Sequence, residues 1–202
     1  MSTNGFVGIG TPTHWTARYN HADSWPTGLG RAVWQTLQDF RSRDHSLDGF
    51  IETLLHVTNW RDVATQGVYH QHSPDALEKS AITPDTCDWL FMEWGYVVDP
   101  APNLFHVFVG CIPTPLTYTV DIYRPDGSHE IWADKPRYTG VLAGSYDIAG
   151  PEPVWPLVDR MGHTLRDQLA AEFAANPHHL LLDAVRARPS HEVWDQRAPS
   201  SS

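Results

Sequence analysis

Apolar positions along the first sixty residues change period twice. Gly5 to Gly10 and Trp15 to Asn20 are short extended runs on either side of Thr11-Pro12-Thr13-His14, whose proline favours a turn. Together they predict a β-hairpin. Beyond Trp25-Pro26-Thr27, the residues Leu29, Val33, Trp34, Leu37 and Phe40 recur at helical spacing, with Thr27 as the expected N-cap and the polar stretch Arg41 to His45 as the end. Ser46 is placed to cap a second helix carrying Leu47, Phe50, Ile51, Leu54 and Leu55, reaching about Trp60.

After a polar stretch from Tyr69 to Thr86 the period falls to two. Leu90, Met92, Trp94, Tyr96 and Val98 share one face of an expected strand over Asp88 to Asp99, and Asp99-Pro100-Ala101-Pro102-Asn103 forces a turn. Leu104 to Ile112 is the return strand. Thr117 to Arg124 and His129 to Trp132 flank Pro125-Asp126-Gly127-Ser128, a hairpin signal because glycine accepts the positive φ of the turn. The pattern therefore predicts a four-stranded antiparallel meander. A long C-terminal helix packed on the sheet follows, with Pro153 and Pro156 in its first turn, Val154, Leu157, Val158, Met161, Leu165, Leu169 and Phe173 along it, and Asn176-Pro177 as its stop. A short helix over His179 to Ala187 is expected after that.

Strands segregated from helices, with no strand–helix–strand alternation, place the fold in the α+β class. No linker divides the 202-residue chain, so residues 1–187 are expected to form one domain and 188–202 a disordered tail.

Charge and composition narrow the partners. A formal net charge of -10 with scattered acids argues against a nucleic-acid backbone and against anionic membranes. No apolar run approaches the roughly 20 residues of a membrane span, and Met1-Ser2-Thr3-Asn4-Gly5 carries no signal-peptide pattern, so a cytoplasmic protein is expected. Cys87 and Cys111 are too few for a disulfide framework and are read as packed residues. Nine tryptophans supply apolar area for a core or for a binding face.

The segment Tyr19 to Gly30 runs from a strand end into a helix start, where backbone N–H groups are free and sites collect. A strand continued to Asp23 would align Tyr19, His21 and Asp23, letting a carboxylate orient an imidazole for general acid–base work. Turn formation by Asp23 and Ser24 is the structural alternative. Trp25, Arg31, Glu93 and Trp94 are the candidate binding residues; Gly28 and Gly30 lack the lysine or third glycine of a nucleotide loop, and no cofactor is expected.

His70-Gln71-His72 with His21, Asp23, His56 or His106 has no recognised ligand spacing, so no metal centre is expected either. Ser24, Ser73, Thr58, Cys87 and Cys111 sit in no nucleophile motif. Trp89, Glu93, Trp94 and Tyr96 either line a groove or pair across strands.

A short hairpin followed by Tyr19-x-His21-x-Asp23-x-x-Pro26 resembles a set of small uncharacterised proteins from actinobacteria and their phages. In that set an aromatic follows the histidine and Gly-Tyr precedes the proline; here the positions hold Ala22, Ser24 and Trp25. The resemblance covers the first forty or so residues and, loosely, the strand pair from Glu93-Trp94 to Val109. It implies a phage or mobile-element context and no reaction.

Two functions remain open at this level. One is an accessory protein that binds a host protein, or a small molecule, through an aromatic-rich surface; it expects several of Trp25, Trp60, Trp89, Trp94, Trp132, Trp155 and Trp194 to be exposed together. The other is a small hydrolase or transferase using His21, Asp23 and Tyr19 in a cleft.

Overall fold

The first helix forms where apolar spacing puts it, and the sheet forms by pairings that spacing does not reveal. The computed structural model describes residues 3–21, 23–44, 47, 49–50, 81–123 and 129–175. Strands β1 (Gly5–Gly10) and β2 (Trp15–Asn20) pair antiparallel as the predicted hairpin. Helix α1 spans Arg31–Asp44, strands β3 (Trp94–Asp99), β4 (Leu104–Tyr123) and β5 (His129–Asp147) follow, and helix α2 covers Trp155–Ala175. The class is mixed α and β, with one five-stranded sheet in the order β2-β1-β3-β4-β5.

Three expectations are corrected. The meander has three strands, because the predicted strands Leu104 to Ile112 and Thr117 to Arg124 are parts of one strand, β4. Pro113 and Pro115 lie between them, and the chain absorbs that stretch by register shifts at Val109/Ile112 and Pro113/Thr117 without turning away. Cys111, at φ 57°, sits in the first of these irregularities.

The strand expected over Asp88 to Asp99 begins only at Trp94. Asp88 instead closes a turn, its Oδ1 accepting the Leu90 N–H and its carbonyl the Phe91 and Met92 N–H groups. The third correction is topological. β1 runs parallel to β3, from Gly5 beside Trp94 to Ile9 beside Val98, so the hairpin extends the sheet across the α1 connection. Gly95 permits this pairing because the Phe6 ring lies where its Cβ would be.

One sheet face carries Val7, Trp94, Tyr96, Val98, Phe105 and Val107 against α1 and α2. Trp34 of α1 meets Phe105 and Trp155 edge to face, at centroid distances of 5.5 and 6.3 Å. Gln38 and Arg41 both donate to the Ile148 carbonyl, fixing α1 to the turn after β5. The other face holds a second cluster of Phe6, Trp15, Ala17, Val97 and Phe108, covered by Met92 and by Ile82, Cys87 and Trp89. Trp89 packs against Gly110 and Gly140, where side chains would collide with it.

α2 begins at Trp155, with Pro153 just before it and Pro156 inside its first turn. Among the described residues no helix is long and apolar enough to cross a membrane. Of the second predicted helix only Leu47, Gly49 and Phe50 are described, Phe50 being buried against Phe40 at 5.9 Å. The rest of that helix, the loop 125–128, the helix over 179–187 and the tail 188–202 lie outside the described residues.

Candidate functional site

β2 stops at Asn20, and the chain reverses through Asp23, whose φ of 54° is left-handed. That conformation costs a non-glycine residue about 1–2 kcal/mol, least for Asp and Asn. Hydrogen bonds among the described residues hold it. The Ser24 N–H donates to the Thr3 carbonyl (3.1 Å), the Leu29 N–H to the Asp23 carbonyl (3.2 Å), Asn20 Nδ2 to Ser24 Oγ (2.9 Å) and the Tyr96 hydroxyl to the Ser24 carbonyl (2.7 Å).

Asn20, Ser24 and Tyr96 are buried, and an unmade bond there would cost roughly 1–3 kcal/mol. Burial, with the Asp159 carboxylate adding to it, pushes the Tyr96 phenol well above its ordinary pKa, so it remains a donor.

Next comes a π-helical turn, Pro26–Gly30, and then α1. Thr27 is exposed and caps nothing; the N-cap is Trp25, in extended conformation and without a side-chain bond. Pro26 presets the first φ, and Gly30 allows the Tyr96 and Trp155 rings to press on the wide turn.

Buried and displayed residues interleave along this junction. Asn20, Ser24, Pro26, Leu29 and Gly30 face inward, whereas Tyr19, His21, Asp23, Thr27 and Gly28 are exposed. The Tyr19 hydroxyl lies 3.0 Å from Nδ1 of His21. Burial of part of the ring raises the Tyr19 pKa, so the hydroxyl stays protonated, and the His21 tautomer sets which of the two donates. The period of two that would have carried Asp23 onto the same side ends at Asn20, so the strand-based alignment of the three residues is not formed.

Trp25 and Trp94 are brought together by a residue the sequence did not nominate, His163 of α2. Its ring sits 5.7 Å from Trp25 and 5.6 Å from Trp94, perpendicular to the latter. His163 Nε2 is 3.5 Å from Asp159 Oδ1, one helical turn back, and both side chains are part-exposed. The i, i+4 spacing is visible in the sequence; its facing onto Trp25 is not.

Arg31 pairs instead with Glu152 at 3.4 Å, and Glu152 also accepts the Trp155 indole N–H at 2.7 Å. Glu93 lies apart from this group, its backbone bonded to Asn4 and Gly110. The sheet separates Trp89 from Trp94 and Tyr96, so these do not line one groove.

Of the described tryptophans, Trp15, Trp34, Trp94 and Trp155 are buried and Trp25 and Trp89 half-buried. Trp60 and Trp194 lie outside the described residues, as does the Trp132 side chain. Burial pushes the Cys87 thiol up to about 12, with Asp88 contributing, and the Cys111 thiol up to about 11, with Glu93 and Asp88 outweighing Arg166. Neither is a thiolate nucleophile at neutral pH.

His56, Thr58, His70, His72 and Ser73 are outside the described residues, and among those described no group of three His, Cys, Asp or Glu is placed to hold a metal. An open depression of about 440 Å³ lies between the hairpin turn at Thr13–Thr16 and the segment Thr83–Asp85, away from the junction. No protein-family model, curated protein or solved structure matches the chain.

Proposed function

We propose that this chain is an accessory protein that recognises a host protein through the exposed edge of the strand–helix junction, with Tyr19, His21 and Asp23 as the contact residues. The observation that carries this reading is the interleaving: buried bonds from Asn20, Ser24 and Tyr96 hold a left-handed turn, and the exposed Tyr19, His21 and Asp23 alternate with the buried residues at that strand end. Strained backbone held by surrounding structure is a feature of ligand clamps and recognition loops. A preorganised edge also binds without the ordering cost that a mobile loop incurs.

Trp25, packed on His163, braces this edge from the α2 side. The phage or mobile-element setting comes from the Tyr19-x-His21-x-Asp23-x-x-Pro26 resemblance alone.

The test is capture from an actinobacterial lysate on immobilised wild-type protein and on a Tyr19→Ala/His21→Ala/Asp23→Gly variant, whose glycine accepts the positive φ. The reading expects a partner whose retention falls at least about tenfold, or ~1.4 kcal/mol, on a variant with an unchanged melting curve. A partner held equally by both proteins would put the contact surface elsewhere.

A further inference from the structure

On the sheet face opposite the helices, three neighbouring strands present an acid, an imidazole and a hydroxyl. Val97 of β3 is in register with His106 of β4, and His106 with Ser145 of β5, so Asp99, two residues beyond Val97, shares their face. Ser145 Oγ lies 2.8 Å from His106 Nδ1, and His106 Nε2 lies 3.6 Å from Asp99 Oδ2. Burial grades along the row: Asp99 and His106 are buried, and Ser145 is half-buried. His106 Nε2 has no hydrogen-bond partner among the described residues and faces the carboxylate.

We propose that Ser145 is a nucleophile for acyl transfer from small carboxylic esters, with His106 as its general base and Asp99 as the residue that positions the base. A hydrogen on Nε2, turned to Asp99, leaves the Nδ1 lone pair to accept the Ser145 proton. The two ring nitrogens exchange the roles they have in the familiar serine triad, but the chemistry requires only one nitrogen for the hydroxyl and the other for the acid.

Ser145 Oγ attacks the ester carbonyl carbon as its proton moves to Nδ1. The carbon–oxygen bond to the alcohol then breaks, the leaving oxygen takes that proton, and an acyl-Ser145 remains. Water attacks this ester, giving its proton to Nδ1, which returns it to Ser145 as the carboxylic acid departs. Among the described residues β5 is the outer strand of the sheet, and the outward backbone N–H groups of such a strand are donors for a developing oxyanion.

This centre uses none of the junction residues, so it stands or falls separately from the recognition reading. The experiment is labelling of the full-length protein with a fluorophosphonate, followed by intact mass and peptide mapping; the Ser145 Oγ–phosphorus bond forms as fluoride leaves. One adduct on Ser145 is expected. It should be absent in Ser145→Ala and form at least about 100-fold more slowly in His106→Gln, the scale of a lost general base.

The wild-type protein alone keeps the idea open to refutation if the buried variants fail to fold. Its labelling rate should rise with pH along one titration at or below about pH 6.5, near the imidazole range. No adduct where a control serine esterase reacts fully, an adduct mapped elsewhere, or a rate that climbs only above about pH 9 would reduce the row to a structural hydrogen-bond network.

Discussion

Position 106 illustrates how a single residue ties stability to pH. Burial lowers the His106 pKa below its ordinary value, and the nearby Asp99 carboxylate only partly opposes this. The fold therefore prefers the neutral imidazole. A histidine with a depressed folded pKa contributes stability that is complete above its unfolded value, near 6.5, and is lost as pH falls through that value towards the folded one.

Denaturant unfolding at pH 7.5, 6.5 and 5.5 should show stability falling on acidification, with a contribution from this site of at most about 1.4 kcal/mol per pH unit. The slope should flatten in His106→Gln. An unchanged slope in that variant, or stability rising on acidification, would contradict this account. Nothing in the sequence singles out His106 as buried, because its environment depends on which strands flank β4.

Elements show more clearly what could be read in advance. The α1 stripe of Val33, Trp34 and Leu37 is buried as its spacing required, and Trp94, Tyr96 and Val98 share one face as alternation required. Local periodicity sufficed there because each face meets a single core. Met92 joins the opposite cluster and Leu90 is exposed, since the Asp88 turn removes them from the strand. Long-range facts were not legible. The parallel β1–β3 pair depends on Phe6 fitting over Gly95, and the meeting of Trp25 with His163 depends on α2 crossing the junction.

α2 also supplies an element-scale test. Gly162 of α2 lies against the Trp94 side chain of β3, where an added Cβ would strike the ring. Gly162→Ala should gain up to about 1 kcal/mol in helix propensity yet lose about 1–3 kcal/mol by overpacking a fully buried indole. Overpacking wins, because the Cβ would come within 2.2 Å of a fully buried ring, and the ring or the helix must shift to relieve it. Chemical denaturation should show a net loss; a more stable variant would mean that Gly162 does not lie against Trp94 as described.

For the whole molecule, the five-stranded sheet separates two sides. The helical side carries the junction brace of Trp25, His163 and Asp159, and the other side carries the Asp99, His106 and Ser145 row on the same face as the second apolar cluster. Tryptophan content suggested a broad aromatic surface, but most of the described indoles stabilise the two cores. The recognition reading therefore rests on geometry at the junction more than on exposed aromatic area. Its requirement is that the turn be rigid before any partner arrives.

Native-state hydrogen exchange on the free protein, resolved by residue, tests that requirement directly. The amides of Ser24 and Leu29, bonded to the Thr3 and Asp23 carbonyls, should exchange only through openings comparable to those of the β3 strand amides, whereas the exposed His21 amide exchanges faster. Ser24 and Leu29 exchanging at the rate of unstructured chain would contradict a preorganised recognition edge.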